Sequence, residues 1–340
     1  MIEAGALREL CAAALRPEQR HAPVGDALAA LARREKLAPL LGGLCLDGRL
    51  EAESGARALL VEDHQRCLVQ QRVAERALAE AVVALLARDI RPMLLKGMAL
   101  SRRLFGAGRR SMRDVDLLVP RRQFGAARAA LEALGARSDD DGTRRVTMRL
   151  FHEVDLRMPS GAAIDLHRGL SPWPIFTVDH PAVLARGARE ADGLLVPDPS
   201  DLLVMLAMHA AGDGFAVPLR AVVDGLLLAP LARAHEVLER AQGWHARRAT
   251  AAWLWALLGY GLAPDGGGGP GWRGVAETLD GSAGAHALAR LVPSRLPRRL
   301  RMWHLRARTA WALDGVARPA VFYSWRGLLY VGDWVMRRSR

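Results

Sequence analysis

Lysine is almost missing from this chain. Of 48 basic residues only Lys36 and Lys96 are lysines, and all the others are arginine. Cysteine is nearly as scarce. Cys11, Cys45 and Cys67 are odd in number and widely spaced, which argues against a disulfide framework or a zinc site and suits reduced, partly buried thiols. Long apolar runs are absent too: no stretch of about 18 residues is free of charge, so no transmembrane helix is expected. The opening MIEAGALRELCAAALRPEQR lacks the basic start and apolar core of a secretory signal. A cytoplasmic protein is the expectation.

What is present is ordinary globular composition, 51% hydrophobic and 25% charged over 340 residues, with room for two or three compact units. The net charge of +12 points to an anionic partner such as a nucleotide, nucleic acid or membrane surface. Arginine in place of lysine, with abundant alanine and glycine, also reads as a GC-rich coding bias, so the charge alone says little about nucleic acid. The same bias makes Lys96 informative. A chain that uses arginine almost everywhere keeps there a compact point charge, suited to a single phosphate oxygen or a tight space.

Three stretches differ in pattern. Residues 1–90 read as an N-terminal helical segment, clearest from Ala56 to Asp89, where Leu60, Cys67, Leu78, Val82 and Leu86 recur at mostly helical spacing. Residues 91–190 change character. RPMLLKG is a short buried strand ending at Gly97, MALSRRLF a short helix, GAGRRSMR a basic loop and DVDLLVP a second strand. RRQFGAARAALEALG is a helix stopped by Gly135. Val146 to Met158 alternates with period two, and its apolar positions share a face with His152. A turn then leads into AAIDLHRGL, with Asp165 and His167 on one side and Ile164 and Leu166 on the other. Residues 191–340 read as a C-terminal helical domain, begun at PDPSDLLVMLAMHAA and interrupted by a flexible linker, APDGGGGPGW. The fold class is therefore α+β, a small mixed β-sheet core flanked by helical segments.

Within DVDLLVP, Asp114 and Asp116 point the same way about 7 Å apart, an arrangement that needs a positive partner. With Asp165, three carboxylates fall on short strands of one sheet. Hard divalent ions take such oxygens together with phosphate oxygens, and two ions held by shared carboxylates can drive an in-line displacement at phosphorus. Upstream, Gly97 allows close backbone approach and the following helix start offers unpaired N–H groups to a phosphate. Arg109, Arg110 and Arg113 add charge beside it. The plainer alternative is a wet strand end with a solvated basic loop.

LLKGMALSRRLFGAGRRSMRDVDLLVP followed by AIDLHRGL resembles the nucleotidyltransferase superfamily with the polymerase-β-type core, and more closely its branch of uncharacterised bacterial nucleotidyltransferases whose first motif is Lys-Gly. The resemblance covers most of residues 55–230. It implies a metal-bearing triad of Asp114, Asp116 and Asp165, with Mg²⁺ or Mn²⁺, and nucleotide binding by Lys96, Gly97, Arg110 and Arg113. It further implies an NTP substrate, with ATP first, and transfer of its nucleoside monophosphate to a hydroxyl of a small-molecule or peptide acceptor. His152, His167, His209, Arg220 and Asp224 match positions near the substrate, although core packing and helix ion pairs explain such residues equally well. Met98 stands where the superfamily usually has serine, so backbone amides and Lys96 are expected to compensate.

Two other readings stay open: a non-catalytic relative that binds RNA or a partner through its basic surface, and kinase-like phosphoryl transfer. From Arg295 onward eleven arginines are interleaved with tryptophan, tyrosine and phenylalanine. Such a stretch can stack on single-stranded RNA, but a helical bundle with a solvated basic face has the same composition.

Overall fold

The computed structural model describes residues 2–19, 21–138, 153–170, 176–263 and 271–280. The 263–272 linker largely, and the aromatic-rich C-terminal stretch wholly, lie outside the described residues. Twelve helices and seven strands are described, giving the α+β class expected.

Four helices come first: α1 (Ile2–Leu15), α2 (Asp26–Arg34), α3 (Ala38–Leu46) and α4 (Ser54–Leu86). α4 runs for 33 residues and is stabilised along its wet side by pairs such as Arg66–Glu62 and Arg76–Glu80 at i,i+4. Its first half buries Leu60 in a large cluster with the other helices, and its second half buries Leu78, Val82 and Leu85 under the sheet. One helix thus ties the helical segment to the core.

The sheet is built from β1 (Met93–Leu94), β2 (Val115–Leu118), β3 (Arg137–Ser138), β4 (Glu153–Arg157), β5 (Ala163–His167), β6 (Ala188–Arg189) and β7 (Leu195–Val196). Their order is β3-β4-β5-β2-β1-β7-β6. β2 runs parallel to β5, and β4 runs antiparallel to β5. Between strands lie α5 (Lys96–Leu104), α6 (Phe124–Ala133) and α7 (His180–Arg186). The expected order of strand, helix, strand, helix and hairpin is present. The sheet also extends past residue 190 through the β6–β7 pair, whose two-residue strands are too short to leave an alternating pattern.

Alternation divides the two faces of the central strands. Val115 and Leu117, Ile164 and Leu166, and Val154 and Leu156 pack with Leu78, Leu85, Ala127 and Leu131 of α4 and α6. The intervening polar residues are left for the opposite face.

The C-terminal helices are α8 (Pro199–Gly212), α9 (Leu219–Leu228), α10 (Ala234–Gly243), α11 (Arg247–Gly259) and α12 (Trp272–Asp280). Asp198 caps α8, accepting a hydrogen bond from the Ser200 amide at 2.8 Å. Among the described residues no helix is long and apolar enough to cross a membrane, and all three cysteines are buried free thiols.

Candidate active site

Strand register decides which acids meet. Parallel pairing sets Asp116 directly opposite Asp165, and antiparallel pairing sets Asp155 opposite Asp165 and Glu153 opposite His167. Paired residues face the same way, so Asp116, Asp165 and Asp155 form a row across three neighbouring strands. Asp114 lies one residue ahead of β2, on the same side as Asp116.

Two cations reach into this row. Lys96 Nζ lies 3.5 Å from Asp116 Oδ1, and His167 Nε2 lies 3.0 Å from the same oxygen. The other ring nitrogen, Nδ1, is 3.1 Å from Glu153 Oε2. Burial alone would raise the Asp116 carboxyl, but Lys96 and His167 outweigh it and hold Asp116 well below the usual carboxylate range. Burial pulls His167 down, yet its bonds to Asp116 and Glu153 win and lift it to about 9. The imidazole is therefore a cation at neutral pH. Lys96 behaves alike: burial lowers it, and Asp116, Glu153 and Asp114 together raise it above the ordinary lysine value.

The remaining carboxylates are crowded. Burial and the Asp116 charge raise Asp114. Burial, then Asp114, Asp155 and Asp116, push Asp165 up to about 7. Lys96 and His167 thus satisfy Asp116 while the row as a whole still carries negative charge that a further cation would relieve. Asp116, Asp165 and, once it gives up its proton, His167 offer ligand atoms within 4.8 Å of one another, a group that could hold a metal ion. Such an oxygen-rich donor set suits Mg²⁺ or Mn²⁺.

Beside the row stands the Lys-Gly turn. α5 begins at Lys96 itself, and no side chain caps its start, so its first N–H groups have no intrahelical partner. The Leu95 amide bonds the Asp116 carbonyl at 2.9 Å, locking the helix start to the acidic strand. Lys96 has φ +31°, in the left-handed region, at a cost of about 1 kcal/mol for a side-chain-bearing residue. Gly97 is buried against the basic loop: Arg110 Nη1 donates to its carbonyl at 2.8 Å. The rest of the Arg110 fork is bidentate to Asp224, at 2.9 and 2.8 Å, with the two side chains only 4% and 1% exposed. Arg110 therefore lies beneath the turn and braces it. Met98 is buried in the apolar cluster under the sheet.

The other expected residues are distributed as follows. Arg113 is exposed, next to Asp114. Arg220 Nη1 donates to the Ser111 carbonyl at 3.1 Å. His209 is on the exposed side of α8, 3.7 Å from Asp213. His152 lies outside the described residues.

Two contributors escape a reading by motif. Glu153 and Asp155 are the polar half of the β4 alternation, whose apolar half draws attention first.

Acidic strands in register, an uncapped helix start bearing lysine, and a braced turn between them thus stand together at one edge of the fold. The family described as uncharacterised nucleotidyltransferase covers residues 25–257, and the chain belongs to it. It is an enzyme of the nucleotidyltransferase class. No curated protein matches the sequence. Among solved structures, the solution structure of antibiotic-resistance factor ANT(2'')-Ia is similar with a TM-score of 0.38 and 16% identity, over 51% of this chain and 90% of that one.

Proposed function

We propose that the protein transfers a nucleoside monophosphate from an NTP, with ATP as the first candidate, to a hydroxyl of a small-molecule or peptide acceptor in the cytoplasm. The observation that carries this reading is the in-register row of Asp116, Asp165 and Asp155, set beside the Lys96 helix start. Asp114, Asp116 and Asp165 would hold Mg²⁺ or Mn²⁺. When bound, the ion supplies charge neutralisation at the phosphates and polarises the acceptor hydroxyl.

The chain's own groups do the positioning. His167 and Lys96 keep Asp116 ionised and oriented, and Glu153 fixes the far side of the imidazole. Lys96 and the α5 amides receive phosphate oxygens. Asp165, ionised beside the bound ion, accepts the proton of the acceptor hydroxyl. That oxygen forms its bond to the α-phosphorus as the bond to the β-phosphate oxygen breaks, and pyrophosphate leaves with the electron pair.

Incubation with Mg²⁺, ATP and pools of hydroxyl-bearing metabolites or peptides, read by pyrophosphate release, tests the reading. Wild-type protein releases pyrophosphate, and Asp116→Asn lowers the rate at least about 100-fold, the scale of losing a preorganised charge in a site of this kind. Release of NDP instead would mean γ-phosphoryl transfer, and an Asp116→Asn rate equal to wild type would refute the site.

A further inference from the structure

Lys36 and the residues around it form a second charged surface next to the acidic row. Lys36 follows the end of α2 and is exposed, with φ +60°. Its neighbour Glu35 clasps the start of α9. The Glu35 carbonyl accepts from the Arg220 amide at 3.2 Å, and Glu35 Oε2 accepts from the Leu219 amide at 2.9 Å. Arg220 in turn reaches the Ser111 carbonyl at 3.1 Å, two residues from Arg113. Three hydrogen bonds thus hold the backbone beside Lys36 to the helix start bearing Arg220, and Arg220 to the basic loop two residues before Arg113.

Opposing charge is short on this side. Asp224 is 4.0 Å from Arg220 but is bidentate to Arg110. Burial and the Arg110 charge lower Arg220 to about 10. Desolvation, Arg220 and Arg113 lower Lys36, while Asp114 and Asp213 act the other way and are outweighed. The acidic row lies on the other side of Asp114, with Asp116, Asp165 and Asp155 set in register across three strands. A surplus of positive charge therefore borders a surplus of negative charge across Asp114. A metal-bound polyphosphate carries both complements in the right order, the metal for the acids and the phosphate oxygens for the cations.

We propose that Lys36 and Arg113, backed by the half-buried Arg220, form the binding wall for the β- and γ-phosphates, with Lys36 as its leading contact. The proposal rests on the nucleotidyl-transfer reading for the identity of the ligand, and on the gathered cations for its place. It gives the helices on either side of the sheet a direct share in substrate binding. It also supplies the phosphate contacts that Met98, turned into the core, does not make.

The test is isothermal titration of the full chain with ATP, inorganic tripolyphosphate and AMP at constant free Mg²⁺. Lys36→Asn removes the charge while asparagine accepts the left-handed backbone. It weakens ATP and tripolyphosphate about tenfold or more, the scale of one charge-assisted hydrogen bond, and leaves AMP affinity and melting temperature unchanged. Lys36→Arg recovers most of the loss. Arg122→Ala, a change of an exposed residue elsewhere, alters nothing. Unchanged ATP and tripolyphosphate binding in Lys36→Asn overturns the proposal, as does an equal loss for AMP. If wild type releases pyrophosphate and Lys36→Asn binds ATP normally, the wall falls and the transfer reading stands. If no transfer is found but tripolyphosphate binding still depends on Lys36, the wall stands and the transfer reading falls.

Discussion

Asp165 sits in an electrostatic conflict that its neighbours impose. In the unfolded chain its carboxyl titrates at 3.8, and in the fold at about 7. Below pH ~4 it is protonated in both states and affects nothing. Between about pH 4 and 7 the unfolded chain loses the proton while the folded protein retains it, so stability falls as pH rises; above 7 the full cost is present. Asp165→Asn is therefore expected to raise the melting temperature of metal-free protein at pH 8 by about 2 °C or more, the shift that roughly 1 kcal/mol brings in a chain of this size. At pH 4 it should change nothing. Differential scanning calorimetry in chelator checks this, and equal shifts at both pH values would count against it. His167 contributes with the opposite sense. Its raised pKa of about 9 makes its pairing with Asp116 stabilising below its unfolded value, 6.5, and that contribution is lost as pH climbs through 9.

At the scale of elements, the turn between β1 and α5 is held by a helix far away in sequence. Asp224 of α9 clamps Arg110, and Arg110 holds the Gly97 carbonyl. Removing one partner of so deeply buried a pair leaves the other charge uncompensated, at a cost of about 3–5 kcal/mol. Asp224→Asn should accordingly lower stability by roughly that amount and raise the KM for nucleotide. Replacing both partners, Arg110→Met with Asp224→Leu, should recover most of the stability, since apolar packing often replaces a buried pair without loss. The KM should stay high, because the Gly97 carbonyl has lost its donor. Urea unfolding and steady-state kinetics on the two variants separate bracing from bulk stability. If the double variant recovers KM as well, the bracing role is wrong.

This element also shows where motif reading stops. DVDLLVP and AIDLH were legible as strands bearing acids, because alternation and the apolar runs around them follow from the two-residue period of a strand. LLKG was legible as a strand feeding a helix. The pairing of Asp155 with Asp165 was not, since register depends on how β4 folds back on β5. Nor was the placing of Arg110, whose partner is a helix from the other end of the core.

Across the whole molecule, the unlike-charged surfaces meet where three segments converge. A ligand that satisfies both surfaces binds only the folded chain and so stabilises it. At about 100 times its dissociation constant that amounts to ~2.7 kcal/mol, or about 5 °C in melting temperature for a chain of this size. Mg²⁺ with ATP should produce such a shift, while Mg²⁺ alone or ATP with chelator should produce much less. An equal shift from ATP in chelator would show that the acidic row takes no part.

The sequence by itself determined the class of fold and the strands that carry Asp116 and Asp165, with Asp114 just ahead of the first. Each is a local matter of side-chain period, turn chemistry and charge along a few residues. Only the tertiary structure decided that Glu153 and Asp155 join the acids, that Arg110 bonds Asp224 and the Gly97 carbonyl, and that Glu35 holds the start of α9. Those are contacts between segments up to 184 positions apart, set by strand register and helix docking, and no local pattern encodes them.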